Sequence, residues 1–231
     1  MLKEIYEQPE AIQQTISQAL NGNALREDFL ANAVADLSQI QQIQIIACGT
    51  SYHAGMIAKY WFEQLIDLPC QVEIASEFRY RTPVIVNNTL YVCISQSGET
   101  ADTLAALRDT QKRATAKGLD IITMTICNVA TSSMVRETNH SLLTLAGPEI
   151  GVASTKAFTT QLAALMLLVL KIEGYAAGEL KHGPLALVDN EMPVVILAPQ
   201  DDMLDKLKSN MEEVQARGGE LFVFADENSG I

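Results

Sequence analysis

Hydroxyl and amide side chains are concentrated where one predicted strand is followed by a helix. The apolar run 89–92 precedes Ser95–Thr100, and the helical pattern 101–116 follows it. The polar side chains of this segment are Ser95, Gln96, Ser97 and Thr100. Because free backbone N–H groups and the positive end of a helix dipole lie at such a junction, these neutral donors suit a phosphate. An ordinary hydroxyl-rich helix cap is the alternative for this segment taken alone.

A second turn has the same organisation. Cys48-Gly49-Thr50-Ser51 joins the predicted strand 43–48 to the predicted helix 53–66. It fits neither the dinucleotide-binding fingerprint nor a Walker loop, because the required glycines and lysine are missing. Two neighbouring strand ends with hydroxyl-rich turns that face one crevice favour a phosphate or sugar site over a plain helix cap.

Two further segments carry candidate side chains. Ser154 and Thr155 precede the apolar helix predicted over 157–170, and on the residues alone we expect a normally capped helix with Lys156 at the surface. His182 lies between glycines and is suited to move a proton near neutral pH, with a loop histidine bonded to backbone as the alternative. His140 is expected to be an exposed loop residue. No spacing of His, Cys and Asp predicts a metal site.

Strands and helices that alternate over about 100 residues predict an α/β fold with a parallel sheet and helices on both faces. Residues 1–40 are predicted to form a helical lead-in, with a second helix over 25–33. The first domain is expected at 41–172. Residues 173–231 supply two strands, 193–199 and 221–225, with one helix between them, which predicts a partial second domain.

Charge and composition narrow the function classes. The 231 residues carry a formal net charge of −12, which disfavours nucleic acid and anionic membranes as partners. The longest apolar run, 162–170, is shorter than the roughly 18 residues of a membrane span. Three of the four cysteines lie in or beside apolar runs, which predicts buried free thiols. With a polar start and no signal peptide expected, we predict a cytoplasmic protein.

Five motifs carry a resemblance to a known family. They are Cys48–Tyr52, Glu73–Tyr80, Ser95–Thr103, Glu149–Gln161 and Tyr175–Leu187. Together and in this order they resemble the isomerase part of the glutamine–fructose-6-phosphate aminotransferase family, and Ser95–Thr100 alone is typical of the wider sugar-isomerase (SIS) fold. The resemblance implies an SIS-type doubly wound parallel sheet with flanking helices, followed by an incomplete second SIS-like unit.

The resemblance also implies a ligand and a site. Members of this family convert fructose 6-phosphate and glutamine into glucosamine 6-phosphate and glutamate, and no cofactor is expected. The residues implied to hold the phosphate are Ser51, Ser95, Gln96, Ser97 and Thr100. Thr50, Val152 and Ser154 are implied to contact the sugar. His182 matches the catalytic histidine that assists ring opening, which reaches the active site of the partner subunit in a homodimer.

Parts of the family pattern have no counterpart in this sequence. They are the glutaminase domain, a glutamate base with a nearby lysine before Tyr175, and a C-terminal lysine. Lys171 and Glu173 do not replace that glutamate and lysine, because the surrounding motif does not match. We therefore expect a phosphosugar-binding chain with impaired isomerase and aminotransferase activity. The alternatives are a non-catalytic phosphosugar-binding or regulatory module and a purely structural interaction protein.

Overall fold

The computed structural model describes residues 1–21, 24–151, 153–176, 193–198, 211 and 220–225. The chain forms two compact units, Met1–Gly178 and Glu179–Ile231. The domain boundaries expected at 40/41 and 172/173 stay predictions.

The N-terminal segment is partly helical. The first predicted helix divides into α1 (Leu2–Tyr6) and α2 (Gln8–Ser17), because Pro9 lies in the first turn of α2, where its missing N–H costs nothing. The helix predicted over 25–33 is wrong. Strands β1 (Leu20–Asn21) and β2 (Ala24–Leu25) form a short antiparallel hairpin, and a 3-10 turn, Ala31–Ala33, leads into α3 (Val34–Leu37).

A five-stranded parallel sheet forms the centre of the first unit, with strand order β4-β3-β5-β6-β7. The strands are β3 (Gln42–Ala47), β4 (Cys70–Ile74), β5 (Thr89–Ile94), β6 (Ile121–Cys127) and β7 (His140–Leu143). The chain leaves β3 toward one edge of the sheet and leaves β5 toward the other. The point where the strand order reverses therefore lies between β3 and β5, and open α/β sheets bind ligands there.

Helices cover both faces of this sheet. They are α4 (Gly49–Ile66), α5 (Ala75–Phe78), α6 (Ala101–Lys117), α7 (Ser133–Glu137) and α8 (Lys156–Ala176). Alternate residues of β5 enter opposite cores, with Val92 packed in the cluster of α4 and α8 and Cys93 in that of α6. The predicted doubly wound α/β fold is confirmed.

Helix α8, the strands of the second unit and the cysteines can be compared with the sequence predictions in turn. Helix α8 runs six residues beyond the predicted end at Leu170, and Ile172 continues its buried face. In the second unit, β8 (Pro193–Ala198) and β9 (Glu220–Ala225) pair in parallel. Cys70, Cys93 and Cys127 are buried free thiols, as predicted. Burial raises the pKa of the Cys93 thiol to about 12.

Candidate phosphate-binding site

The segment Ser95–Thr100 folds into a loop closed by its own hydroxyl groups. Ser95 is 3% exposed, and its Oγ lies 2.8 Å from Thr100 Oγ1. The same Ser95 Oγ accepts the N–H of Gly98 at 3.1 Å, and Ser97 Oγ accepts the N–H of Glu99 at 3.2 Å. These bonds hold the loop compactly between the end of β5 and the start of α6.

The helix-cap alternative fails at Thr100. Thr100 is the N-cap residue of α6, yet its side chain makes no capping hydrogen bond and lies against Ser95 instead. Threonine at an N-cap normally accepts a bond from the first turn. Without that bond, the N-terminal N–H groups of a 17-residue helix remain available to an anion.

Gly98 is required by both space and backbone conformation. Its φ of +68° is left-handed, and a Cβ there would overlap the hydroxyl of Ser132. Ser132 caps α7, and the first turns of α7 bond back to the loop: Met134 N–H donates to the carbonyl of Gly98 at 3.2 Å. Ser133 N–H donates to the Glu99 carboxylate at 2.6 Å, which lowers the pKa of Glu99. Hydrogen bonds from the start of α7 therefore stabilise the conformation of the loop.

The turn after β3 lies at the same edge of the sheet. Ala47 and Ile94, the last residues of β3 and β5, are register partners, so both following loops leave the sheet side by side. Helix α4 also has no side-chain cap, and Gly49 at its start has a left-handed φ of +58°. Ser51 is buried in the first turn of α4, whereas Thr50 is exposed.

The segment Glu149–Lys156 is organised by a carboxylate. Glu149 Oε1 accepts the N–H of Thr155 at 2.9 Å and of Ala157 at 3.2 Å, so it caps α8 in place of a local hydroxyl. The hydroxyl of Ser154 donates to Glu149 Oε2 at 3.3 Å. The expectation of a surface lysine is wrong, because Lys156 is 4% exposed and its Nζ lies 2.7 Å from Glu7 Oε2.

Asn128, which sequence reasoning passed over, connects two of these loops. Its backbone N–H donates to the Gln96 carbonyl at 3.0 Å, and its Nδ2 donates to the Gly147 carbonyl at 2.6 Å. Its Oδ1 accepts the N–H of Ala146 at 2.7 Å. An asparagine directly after the carboxyl end of a strand was the available sequence signal.

An open cleft lies beside the loop. Its lining includes Gln96 and Asn128, with Gly147 to Glu149 on one side. Another side is formed by Gln13, Gln14 and Ser17 of α2 and by the following Gln18. Gln96 is the residue shared with the loop Ser95–Thr100. Thus the loop after β5 and the segment that leads to Ser154 border one concave surface.

An ion pair neutralises the acidic residue of the first turn of α6. Asp102 lies 2.6 Å from Nη1 of Arg79, and this bond raises the pKa of Arg79. An unpaired carboxylate here would repel a bound phosphate, so the pair removes a charge that opposes anion binding. Among the described residues, no cluster of three or more His, Cys, Asp or Glu side chains is placed to hold a metal ion.

The sequence profile of the SIS domain matches residues 36–171 and again 172–231, and so accounts for most of the chain. The chain belongs to the SIS domain family. A solved structure of the C-terminal domain of glucosamine-fructose-6-phosphate aminotransferase from Francisella tularensis is 40% identical, with a TM-score of 0.71. That similarity covers 98% of this chain and 84% of the other.

Two curated relatives of this SIS chain share one name. A glutamine–fructose-6-phosphate aminotransferase (isomerizing) of Acinetobacter baylyi is 68% identical, and one of Pseudomonas putida is 46% identical. Each match covers 100% of this chain and 50% of the relative, so the chain spans about half the length of these relatives. The Acinetobacter alignment runs over 307 positions, 76 more than the 231 residues present here. At least that many aligned positions of the relative therefore have no counterpart in this SIS chain.

The sheet brings most of the predicted SIS site residues to one edge. These are Thr50, Ser51, Ser95, Gln96, Ser97 and Thr100. Ser154 lies on the segment capped by Glu149. Val152 and His182 lie outside the described residues.

His140 is not the exposed loop residue that was expected: it begins β7, is 8% exposed and lies 2.6 Å from Asp36 through its Nε2. Among the described helices, none is both long and apolar enough to cross a membrane.

Proposed function

We propose that this chain binds a phosphosugar, with the phosphate at the edge of the sheet between β3 and β5. Ser51, Ser95, Gln96, Ser97 and Thr100 are the residues that would hold it. The supporting observation is the placement of Thr100, whose hydroxyl bonds Ser95 and leaves the start of α6 without a side-chain cap. A dianion at this position gains the helix dipole and several backbone N–H donors without any lysine or arginine in the loop.

The resemblance and the names of the relatives support fructose 6-phosphate and glucosamine 6-phosphate as the ligands. Thr50, Val152 and Ser154 would contact the sugar. Thr50 is exposed at the start of α4, where it is accessible to a ligand. Ser154 currently donates to Glu149, and a sugar hydroxyl would share or replace that weak bond of 3.3 Å. His182 would act in ring opening from the partner subunit of a homodimer.

We propose further that turnover by this chain is impaired. At least 76 aligned positions of the Acinetobacter relative are missing here, and the resemblance places the glutamate base and its lysine just before Tyr175. Loss of a general base alone typically reduces the rate about 10²- to 10⁴-fold. The missing base and lysine favour a non-catalytic binding module over an efficient isomerase. The resemblance still assigns the origin of the chain to the aminotransferase family.

Calorimetric titration of the purified chain tests the proposal. Fructose 6-phosphate should bind, whereas fructose, which lacks the phosphate, should give no measurable heat at the same concentrations. Interconversion of fructose 6-phosphate and glucose 6-phosphate should run at least about 10²-fold below that of an intact isomerase domain. If the chain shows no heat and no thermal shift with fructose 6-phosphate, the proposal fails and a purely structural interaction protein is supported instead.

A further inference from the structure

The N-terminal helix α1 bonds directly to the segment that carries the predicted sugar contacts. Glu4 Oε1 accepts the N–H of Ile150 at 2.5 Å and the N–H of Gly151 at 2.9 Å. Glu4 is only 6% exposed although it is charged. Burial of a carboxylate is costly unless hydrogen bonds compensate for the lost water, and these two amides do so for Oε1.

A second carboxylate of the same segment holds the far end of the loop. Glu7, three residues after Glu4, lies 2.7 Å from the ammonium group of Lys156, which is 4% exposed. The stretch 152–154, with both Val152 and Ser154, therefore lies in sequence between two attachment points on one short N-terminal segment.

The space around Gly151 shows how close the Glu4 carboxylate lies to the backbone of this segment. No left-handed φ requires a glycine here, but a Cβ would lie 2.5 Å from Glu4 Oε2 and 3.5 Å from the Ala153 carbonyl. The position is thus tight because of the Glu4 carboxylate and not because of backbone conformation. Any larger residue would have to displace the Glu4 carboxylate from the loop.

The Glu4 carboxylate is also held in its charged form. The ammonium group of Met1, followed by the N–H groups of Gly151 and Ile150, lowers the pKa of Glu4 to about 2. The acceptor for the two loop amides is therefore an ionised carboxylate at neutral pH, which makes the stronger class of hydrogen bond.

We propose that Glu4 is a positioning residue for sugar recognition: its carboxylate fixes the backbone at Ile150 and Gly151 and thereby holds the segment that carries Ser154 for contact with the sugar. The inference rests on the proposed function, since it assigns the sugar contacts to this loop. The phosphate site itself lies on β3, β5, α4 and α6, none of which Glu4 bonds. Loss of the Glu4 carboxylate should therefore weaken the contacts with the sugar and leave the binding of phosphate unchanged.

The test compares Glu4→Ala, Glu4→Gln and the control Glu10→Ala, which changes an exposed glutamate on α2. Each variant is titrated with fructose 6-phosphate and with inorganic phosphate. Glu4→Ala should weaken fructose 6-phosphate binding about tenfold and change phosphate binding less than about twofold. Glu4→Gln, which keeps one acceptor oxygen, should recover part of the loss, and Glu10→Ala should match the wild type. The proposal is overturned if Glu4→Ala weakens the binding of both ligands equally, or if it weakens the binding of neither.

Hydrogen exchange separates this proposal from the proposed function. In Glu4→Ala, amides 150–156 should exchange at least about tenfold faster, while those of 95–100 keep the wild-type rate. If the wild-type chain binds neither ligand, the proposed function fails, and the exchange of 150–156 still decides whether Glu4 positions the loop. Wild-type exchange rates at 150–156 in Glu4→Ala overturn the positioning role in either case.

Discussion

Gly98 lies so close to Ser132 that no side chain fits between them. A Cβ built on Gly98 would overlap the Ser132 hydroxyl and would come within 3.4 Å of Cys127 Sγ. Ser132 in turn caps α7, whose next residues bond to Gly98 and Glu99. The compact shape of the loop after β5 therefore depends on a helix that follows β6, the neighbouring strand.

Gly98→Ala should strongly weaken phosphosugar binding. The Cβ would push the loop away from α7, and the left-handed φ adds a cost of about 1–2 kcal/mol for any residue with a side chain. We expect at least a tenfold loss of fructose 6-phosphate affinity and a lower melting temperature, measured by titration and thermal unfolding.

Gly118→Ala is the matched control for that variant. Gly118 ends α6 with a similar left-handed φ of +63°, but no atom lies within 4 Å of the added Cβ. Both variants therefore carry the cost of a left-handed φ, but only Gly98→Ala introduces a clash with a neighbouring residue. Gly118→Ala should lower stability and leave the affinity for fructose 6-phosphate unchanged. Equal affinities for the two variants would contradict the role assigned to the contact between Gly98 and Ser132.

Arg79→Ala should weaken phosphosugar binding about threefold at low salt. It leaves Asp102 unpaired in the first turn of α6, where its negative charge repels the bound phosphate. Because the pair is about one-third exposed, added salt should reduce the effect, and Asp102→Asn in the same chain should restore the affinity.

Arg113→Ala provides the control for this charge effect. Arg113 pairs with Asp109 on the same helix at 2.5 Å, and the exposure of the two side chains is similar to that of Arg79 and Asp102. It lies farther along α6 from the loop. If Arg113→Ala weakens binding as much as Arg79→Ala does, the effect is not local to the phosphate site.

The contact between Glu7 and Lys156 should make stability depend on pH. The hydrogen bond from Lys156 lowers the pKa of Glu7 below its ordinary value of 4.5. A carboxyl whose pKa is lower in the folded state stabilises that state above its ordinary pKa, and this contribution is lost as the pH falls through the lowered value. Glu7→Gln should therefore melt at a lower temperature than the wild type at pH 7.

That difference in melting temperature should shrink as the pH is lowered from about 5, because the wild-type carboxyl becomes neutral as well. Thermal unfolding of both proteins between pH 7 and pH 3 measures it. Glu10→Gln, at an exposed position, serves as the control for a general loss of negative charge. A gap that stays constant across this range would show that the ion pair with Lys156 does not stabilise the fold.

The sheet and its ligand edge could be predicted because the sequence signal there is local. Strand β5 is buried at all six positions, as expected for a central parallel strand, and a continuous apolar run records that burial directly. The polar turns after β3 and β5 follow such runs immediately. Their convergence then follows from the geometry of parallel strands rather than from any further residue.

The incorrect predictions concern contacts between distant residues. His140 is buried against Asp36, 104 residues earlier, and Lys156 pairs with Glu7, 149 residues earlier. Nothing near either residue in the sequence indicates these partners. The helix predicted over 25–33 failed for a related reason: Phe29 and Ala33 are buried at helical spacing, yet Leu30 between them has a left-handed φ of 50°. Tertiary packing, not helical periodicity, buries them.

Thr100→Val tests the central claim most directly. Valine keeps the shape of threonine and removes the hydroxyl. Because that hydroxyl does not cap α6 but bonds the buried Ser95 Oγ, its loss should lower the melting temperature only by the amount expected for one hydrogen bond. Thr115→Val, at an exposed position near the end of the same helix, is the control. Titration with fructose 6-phosphate should show at least a tenfold loss of affinity for Thr100→Val and none for Thr115→Val. Unchanged affinity for Thr100→Val would contradict a phosphate site at the start of α6.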